Sequence, residues 1–454
     1  MAKKCQIELA ESGNADVSST KLPPMTFDEI AAIIQSGDSE KLEDVIDAGR
    51  VNNIDMRSSC EVGVSLLMVA CKSGFIECAR VLLDHKAFIR ANSTMVLKNA
   101  CLSGNADMVR LILERGPAIS DSMISYLLSP EIIANTEIAA TIVEYIQDIN
   151  AETSTFLHRV CRAGNPLIAR IPLERGALLI LGRTDPLVAA SGAGHLDVVK
   201  LLLGWRRNDV GISRASVNEA FTVASRCGHV HVVRCLIEYG SASTGFDADT
   251  LNNALYAAVE YHRLEVTALL LDYGGDYEAT LPRMPVSIRI RAFQSGSPAM
   301  VYLLLDRGAD PNALDAKGWS PPKAAIRHPE VLKMLLEHNA DPNQLFADGS
   351  TALLDTVIAN NGEYMSALTI LLGHGADPNL PHATTGQTAL MVASLELRID
   401  AVKMLLEYSA DVTQVNREGQ SVLDMLGEDK YREVRELCTQ YIECNKPGVK
   451  LLLK

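Results

Sequence analysis

Small residues and apolar triplets alternate along the chain with turn-forming positions, and the whole combination returns every 30 to 37 residues from Thr26 onward. The first stretch of each unit is short and carries small side chains, as at Ala70-Cys71, Val160-Cys161, Ala189-Ala190 and Ala324-Ala325. After a turn, a longer stretch carries a triplet such as Val81-Leu82-Leu83, Leu111-Ile112-Leu113, Leu201-Leu202-Leu203 or Met404-Leu405-Leu406. Each unit is predicted to be a short helix, a turn and a second helix. One such pair has no core of its own, so its triplet can be buried only against neighbouring pairs, and a linear stack follows.

The units can be aligned at Thr26, Gly63, Ser93, Met123, Thr153, Arg183, Val217, Leu251, Pro285, Gly318, Gly349, Gly386 and Gly419. The pattern is most complete in Gly63 to Lys86 (GVSLLMVACKSGFIECARVLLDHK) and Gly386 to Ser409 (GQTALMVASLELRIDAVKMLLEYS). It predicts an all-α repeat solenoid with short hairpin or loop tips, running continuously over residues 26–443 as 12 to 13 units including caps. Residues 1–25 are polar and end in Leu22-Pro23-Pro24, which predicts a disordered segment. Residues 444–454 are expected to form a short tail.

Three segments carry the known-family signal: RTDPLVAASGAGHLDVVKLLL (183–203), RGADPNALDAKGWSPPKAA (307–325) and HGADPN (374–379). They resemble the ankyrin repeat, with its G-x-T-P-L-H-x-A-A, G-H-x-x-V-V-x-L-L-L and G-A-D-x-N segments. The resemblance spans most of residues 26 to 443. It implies L-shaped units whose hairpin tips and first helices form a concave, protein-binding face. Gly-Ala-Asp-Pro-Asn also supplies a helix C-cap and turn formers in succession on its own chemistry.

Several units depart from the pattern. The 30-residue steps from Gly63 to Arg183 leave little chain for hairpins, predicting short tips and a flatter inner face there. Residues 121–151 are assigned as a repeat only by spacing and by Thr141-Ile142-Val143. Pro172 interrupts a triplet, where it removes a helix hydrogen bond and is expected to weaken or kink the helix. The extra length near Asn360-Asn361-Gly362 predicts a protruding loop.

Composition narrows the function. The net charge of −14 argues against nucleic acid as a general partner, since a duplex binder needs a positive face. Two basic runs, Trp205-Arg206-Arg207 and Arg283 to Arg291 (RMPVSIRIR), are read as a loop and a variant helix with solvated charges. No 18-residue apolar run occurs and MAKKCQIELAESGNADVSS has no apolar h-region, so neither membrane spanning nor secretion is expected. Ten cysteines lack a C-x-x-C or a disulfide-like framework; Cys71, Cys101 and Cys161 share one repeat position and read as packed thiols. A cytoplasmic or nuclear, monomeric protein is expected.

No metalloprotease, phosphate-loop, nucleophile-elbow or dinucleotide signature occurs. No catalytic residue, cofactor or metal is expected. His229, His231 and Cys235 lack a fourth ligand at useful spacing, and His195, His229 and His158 are read as turn-stabilising. In ankyrin-like units, hairpin tips and the ends of first helices meet partners. Those positions are Lys317, Trp319, Asp348, Ser350 and Gln387 at tips, and Arg162, Arg226, Glu260, Tyr261 and Gln294 on helices. Trp319, Tyr261 and Arg226 rank first, because Trp, Tyr and Arg are the usual interface anchors. The alternative at each is tolerated surface. Resemblance to hydroxylated ankyrin units also points to Asn312, Asn343 and Asn379 as modification candidates. The functional expectation is a non-catalytic scaffold or adaptor binding one or more proteins. The alternative is a substrate-recruiting subunit of an enzyme complex such as a ubiquitin ligase.

Overall fold

The computed structural model describes residues 23–445 except for 59–63, 90–92, 148–155, 180–184, 206–211, 242–244, 283–285, 359–363 and 428. Between 117 and 134 it describes only Ile119, Met123, Ser129 and Ile132. The expected disordered N-terminal segment up to residue 22, the tail from 446, the loop at Asn360-Asn361-Gly362 and Arg206-Arg207 lie outside these residues. So do most of the connections where short tips were expected between Gly63 and Arg183. Among the described residues there are 25 α-helices and no strand beyond isolated bridges such as Arg57 to Ser65 and Val415 to Ser421. The architecture is the all-α repeat fold the sequence predicts.

The residues group into two compact units, Met1–Gly182 and Arg183–Lys454. In the first, helix pairs run Phe27–Ser36 with Ser39–Asp47, Leu66–Ser73 with Ile76–Asp84, Ser93–Leu102 with Ala106–Arg115, and Phe156–Ala163 with Pro166–Glu174. Thr136–Tyr145 is the second helix of the unit assigned by spacing, and Thr141, Ile142 and Val143 are buried as that assignment requires. The second unit has eight pairs. They begin with Pro186–Ala193 and Leu196–Gly204 and end with Val422–Met425 and Arg432–Asn445. Within each unit, first helices pack on the first helices of adjacent repeats and second helices on second helices, giving two layers.

Local chemistry starts the helices where the pattern places them. Thr26 and Glu29 form a reciprocal capping box, and Ser65, Asn105, Asp185, Ser287, Ser320 and Thr388 each accept an N–H of the first turn. Each such cap is worth about 1 kcal/mol. In the cores, the middle residue of each triplet is almost wholly buried: Leu82, Ile112, Leu202, Leu270, Leu304 and Leu405. Burial of each contributes about 1.5–3 kcal/mol. Opposite them, Ala70, Cys71, Ala100, Cys101, Val160, Cys161, Ala190, Ala324 and Ala325 are buried, and their small size lets the first helices approach.

Pro172 lies inside the helix Pro166–Glu174, with its ring buried and its carbonyl accepting the Ala177 N–H. Neighbouring packing holds the turn despite the missing donor. Much of the extra length of the 34-residue steps after Arg183 extends the first helices, Arg214–Cys227 and Ala248–Glu260, to 14 and 13 residues.

Polar groups lock one repeat to the next. His229 Nε2 donates to the Gly192 carbonyl (3.0 Å), Arg263 Nε to that of Arg226 (2.9 Å), and His328 Nε2 to that of Gln294 (2.9 Å). The histidines after the first turn therefore stabilise the preceding repeat's helix end. This contact dictates glycine at the turn. Gly296 has φ +74°, and a Cβ there would lie 2.4 Å from His328 Nδ1. On the opposite connections, the Asn312, Asn343 and Asn379 amides form a second ladder. The amide oxygens accept the N–H groups of Asp341 (2.6 Å), Asp377 (2.7 Å) and Asp411 (2.7 Å). The amide nitrogens donate to the carbonyls of Asn339, Gly375 and Ser409.

Candidate functional site

Hairpin tips are best formed late in the second unit. Asp315 N–H donates to the Trp319 carbonyl (3.0 Å), Phe346 N–H to Ser350 (2.9 Å), and Asn416 N–H to Gln420 (3.0 Å). Asp315 closes its own tip by accepting the Lys317 and Trp319 N–H groups at 2.9 and 2.8 Å. Gly318 follows at φ +74°, where an added Cβ would sit 2.4 Å from the Ala347 Cβ of the next tip. Each tip is thus rigid and stacked on its neighbour. That fixes the direction in which the adjoining Trp319 enters the surface between first helices.

There the side chains enclose an open groove of about 470 Å³. Its walls include Gln294 from Ile288–Gln294, Trp319 and Lys323 from the next repeat, and Asp355, Ile358 and Tyr364 from the one after. Lys323 organises it. Its side chain is 16% exposed; Nζ lies 2.6 Å from Asp348 Oδ2 and 3.1 Å from Asp355 Oδ2. The same ammonium stands 5.7 Å from the Trp319 ring centroid and 4.5 Å from that of Phe346. An ammonium between two carboxylates and two ring faces is held by charge and by the ring quadrupoles together. Burial works to lower the Lys323 pKa, but the two carboxylates outweigh it and the pKa is raised. At Asp348, partial burial pushes upward while hydrogen bonds from Lys323 and Ser350 prevail and hold the carboxyl at about 2.

A second charged cluster joins the groove on its Arg291 side. The Arg291 guanidinium grips Glu260 through Nε (2.5 Å) and a terminal nitrogen (2.7 Å), and the Tyr256 hydroxyl donates to Glu260 at 3.2 Å. The Arg291 hydrogen bonds are the main reason the Glu260 pKa is lowered. Arg289, two residues before, is wholly buried and its guanidinium donates to the carbonyls of Asp310 (2.5 Å) and Ala313 (3.0 Å). Its Nε lies 2.8 Å from Glu278 Oε1, an ion pair by separation, although the N–H is not aimed along that line as a hydrogen bond would be. The run from Arg283 to Arg291 was read as solvated charge. Both of its helical arginines are instead consumed by structure.

The structure places the sequence candidates unequally. Trp319 and Gln294 line the groove together; Glu260 reaches it through Arg291, and Asp348 through Lys323. Trp319 is half-buried beside Lys323, not the exposed tip residue the sequence reading assumed. Ser350 is buried, its hydroxyl 2.8 Å from Asp348 Oδ1 and 3.0 Å from Asp355 Oδ1, two carboxylates that share its single proton. Lys317 is exposed at its tip, and Gln387 is half-buried with its carbonyl accepting the His382 N–H. Tyr261 and Arg226 are exposed at the ends of their first helices and do not line the groove. Arg162 is exposed and belongs to the first unit. Sequence reasoning missed Lys323, Asp355, Ile358 and Tyr364. The signal for Lys323 was present: Ser320-Pro321-Pro322-Lys323 puts a lysine where the repeat pattern T-P-L-H ends in histidine.

Among the described residues no group of three or more His, Cys, Asp or Glu is placed to hold a metal, and no helix is long and apolar enough to cross a membrane. The described cysteines are free thiols, with Cys71, Cys78, Cys101, Cys161 and Cys438 buried.

A protein-family model agrees with this architecture. The family model for ankyrin repeats in three copies matches residues 30–123, 187–280, 290–381 and 356–447. No curated protein matches the chain. Among solved structures, the ankyrin repeat domain of Bcl-3, a member of the IkappaB protein family, is similar at 25% identity and a TM-score of 0.43. That match covers 48% of this chain and 97% of the other. With family matches over most of its length, and repeats formed where those matches fall, the chain belongs to the ankyrin repeat family.

Proposed function

We propose that the protein is a non-catalytic scaffold or adaptor whose second unit binds a partner protein through the groove at Trp319 and Lys323. Ankyrin repeats are in general protein-interaction modules, which sets the class. The observation that carries the location is the groove itself. Trp319 and Ile358 supply apolar surface over the buried Ile326 and Tyr364, while Gln294 and Arg327 supply polar groups at the same opening. Aromatic side chains held in a partly enclosed, charge-rimmed depression are the usual composition of an interface anchor. Lys323 is already bound on two sides and positions Trp319, so the surface is preorganised and little side-chain entropy is lost on binding.

The test is capture of partners from cells of the source organism by the full chain, quantified against variants. Trp319→Ala and Tyr364→Ala together are expected to reduce capture at least about tenfold, the loss of one anchor's worth of contact energy. Tyr261→Ala with Arg226→Ala is expected to change it less, as both lie away from the groove. Undiminished capture by a folded W319A/Y364A chain, or loss confined to Tyr261 and Arg226, would move the site to the earlier helix ends.

A further inference from the structure

We infer that the second unit carries another docking surface, on its layer of second helices, which takes a partner-protein segment bearing a large apolar side chain beside a lysine or arginine. This surface lies on the other helix layer from the groove at Trp319 and does not depend on it. Its basis is a break in the register of outward-facing residues. The middle outward position is an exposed cation in Leu196–Gly204, Val230–Ser241, Pro329–Glu337 and Ile399–Glu407, namely Lys200, Arg234, Lys333 and Lys403. In the consecutive helices Leu264–Asp272 and Pro298–Asp306 the same position is Ala268 and Tyr302. The carboxylates around it remain: Glu265 and Asp272 on the first, Asp306 on the second. Met365–Gly373 has Thr369 there, but no carboxylate on the helix.

Where Tyr302 replaces the cation, the surface opens into a hollow of about 300 Å³. Leu264, Pro298, Tyr302, Leu303 and Met334 line it, and among the described residues Asp306 is the one charged group of the lining. Tyr302 is 56% exposed and Leu264 38%, although both stand on helices whose other apolar side chains are mostly buried. The nearby cations are engaged. Arg307 Nη1 lies 2.7 Å from Asp272 Oδ1, Lys333 Nζ 3.8 Å from Glu337 Oε1, and Arg263 Nε donates to the Arg226 carbonyl. Glu265 and Asp306 have no ion pair among the described residues. Counting Leu264–Asp272, Pro298–Asp306, Pro329–Glu337 and the flanking Arg263 and Arg307, five carboxylates face three cations.

The missing cation and the uncovered apolar wall together specify the occupant. Tyr302 and Asp306 are four residues apart on one helix, so their side chains are neighbours. An ammonium or guanidinium between them meets a ring face and a carboxylate at once. Its apolar neighbour is then buried against Leu264, Leu303 and Met334. A purely apolar segment would desolvate Asp306 without a partner, and an acidic one would be repelled by it.

Panning a randomised dodecapeptide display library on the full-length protein tests this, followed by titration of the synthesised enriched peptides against variants. The expected enrichment includes peptides with Lys or Arg within one helical turn of Leu, Ile, Met or Phe. Tyr302→Lys restores the cation of the neighbouring helices at an exposed position, and is expected to weaken these peptides at least about tenfold. Asp306→Asn should weaken them about threefold and reduce the salt dependence of binding. No enrichment, enriched peptides without a cation, or basic peptides that Y302K binds as tightly as the wild type would each overturn the inference. Sedimentation of the chain alone gives a further contradiction: a dimer that Y302K dissolves would assign the face to a second copy. Peptides lost in W319A/Y364A and kept in Y302K belong to the groove, and enrichment of those alone would overturn the second surface while leaving the groove standing. Failure of the groove is read separately, from partner capture that W319A/Y364A leaves undiminished.

Discussion

At the scale of single residues, the structure shows why similar side chains have different roles along the stack. Ser65, Ser287 and Thr388 each cap a first helix, and the residue two positions on is Leu67, Arg289 and Leu390 respectively, all buried. Arg289 thus occupies a leucine position and uses its guanidinium to hold the Asp310 and Ala313 carbonyls. Arg289→Ala should destabilise the protein by about 2–4 kcal/mol, through a cavity and two orphaned acceptors. Thermal or denaturant unfolding checks this, and a loss under 0.5 kcal/mol would show the guanidinium to be dispensable.

The cysteines respond to burial in the same residue-level way. Desolvation pushes the Cys71 and Cys101 thiols up to about 12 and Cys438 up to about 11. Since the thiolate is the nucleophile, these three should stay unlabelled by a thiol reagent at neutral pH while exposed Cys444 reacts at once. Mass spectrometry of the native protein distinguishes them. His85 shows the opposite influence. Its Nδ1 lies 2.9 Å from the Val81 carbonyl and its Nε2 3.1 Å from Asp47 Oδ1, so both nitrogens donate only in the imidazolium, and its pKa is raised. A raised folded-state pKa means the stabilisation is present at low pH and lost as pH rises through that value. NMR titration should therefore find His85 above the ordinary histidine range.

At the scale of elements, the helix pairs were legible in the sequence because small-residue and triplet positions recur in register. Their bounding caps were legible too. What the sequence concealed was every contact whose partner lies a repeat away. His229, Arg263 and His328 reach the previous helix end, and the Asn312, Asn343 and Asn379 amides reach the next connection. The groove was half legible for the same reason. Trp319 and Gln294 stand at recognisable repeat positions, whereas Tyr364 and Asp355 join them only by stacking. A comparison of two glycines isolates the stacking contribution. Gly308, at φ +86°, has open space around an added Cβ, while Gly296, at φ +74°, has His328 against it. Gly308→Ala should cost about 1–2 kcal/mol from backbone strain alone. Gly296→Ala should cost measurably more, and equal losses would mean that the histidine contact is easily rearranged.

At the scale of the molecule, two compact units each bury their apolar residues between neighbouring repeats, so stability is a sum of local interfaces. Acid should act on the second unit through its groove. Asp348 is held at about 2 against an ordinary 3.8, a depressed pKa whose stabilisation is present above 3.8 and is lost as pH falls towards 2. Asp348→Asn should flatten that part of the pH–stability curve. The central claim, however, concerns binding. Hydrogen–deuterium exchange on the full chain, alone and with a captured partner, tests it most directly. The account predicts new protection in the segments carrying Gln294, Trp319 to His328 and Asp355 to Ile358, weakened by W319A. Protection confined to the first unit, or to the helix ends at Arg226 and Tyr261, would contradict it.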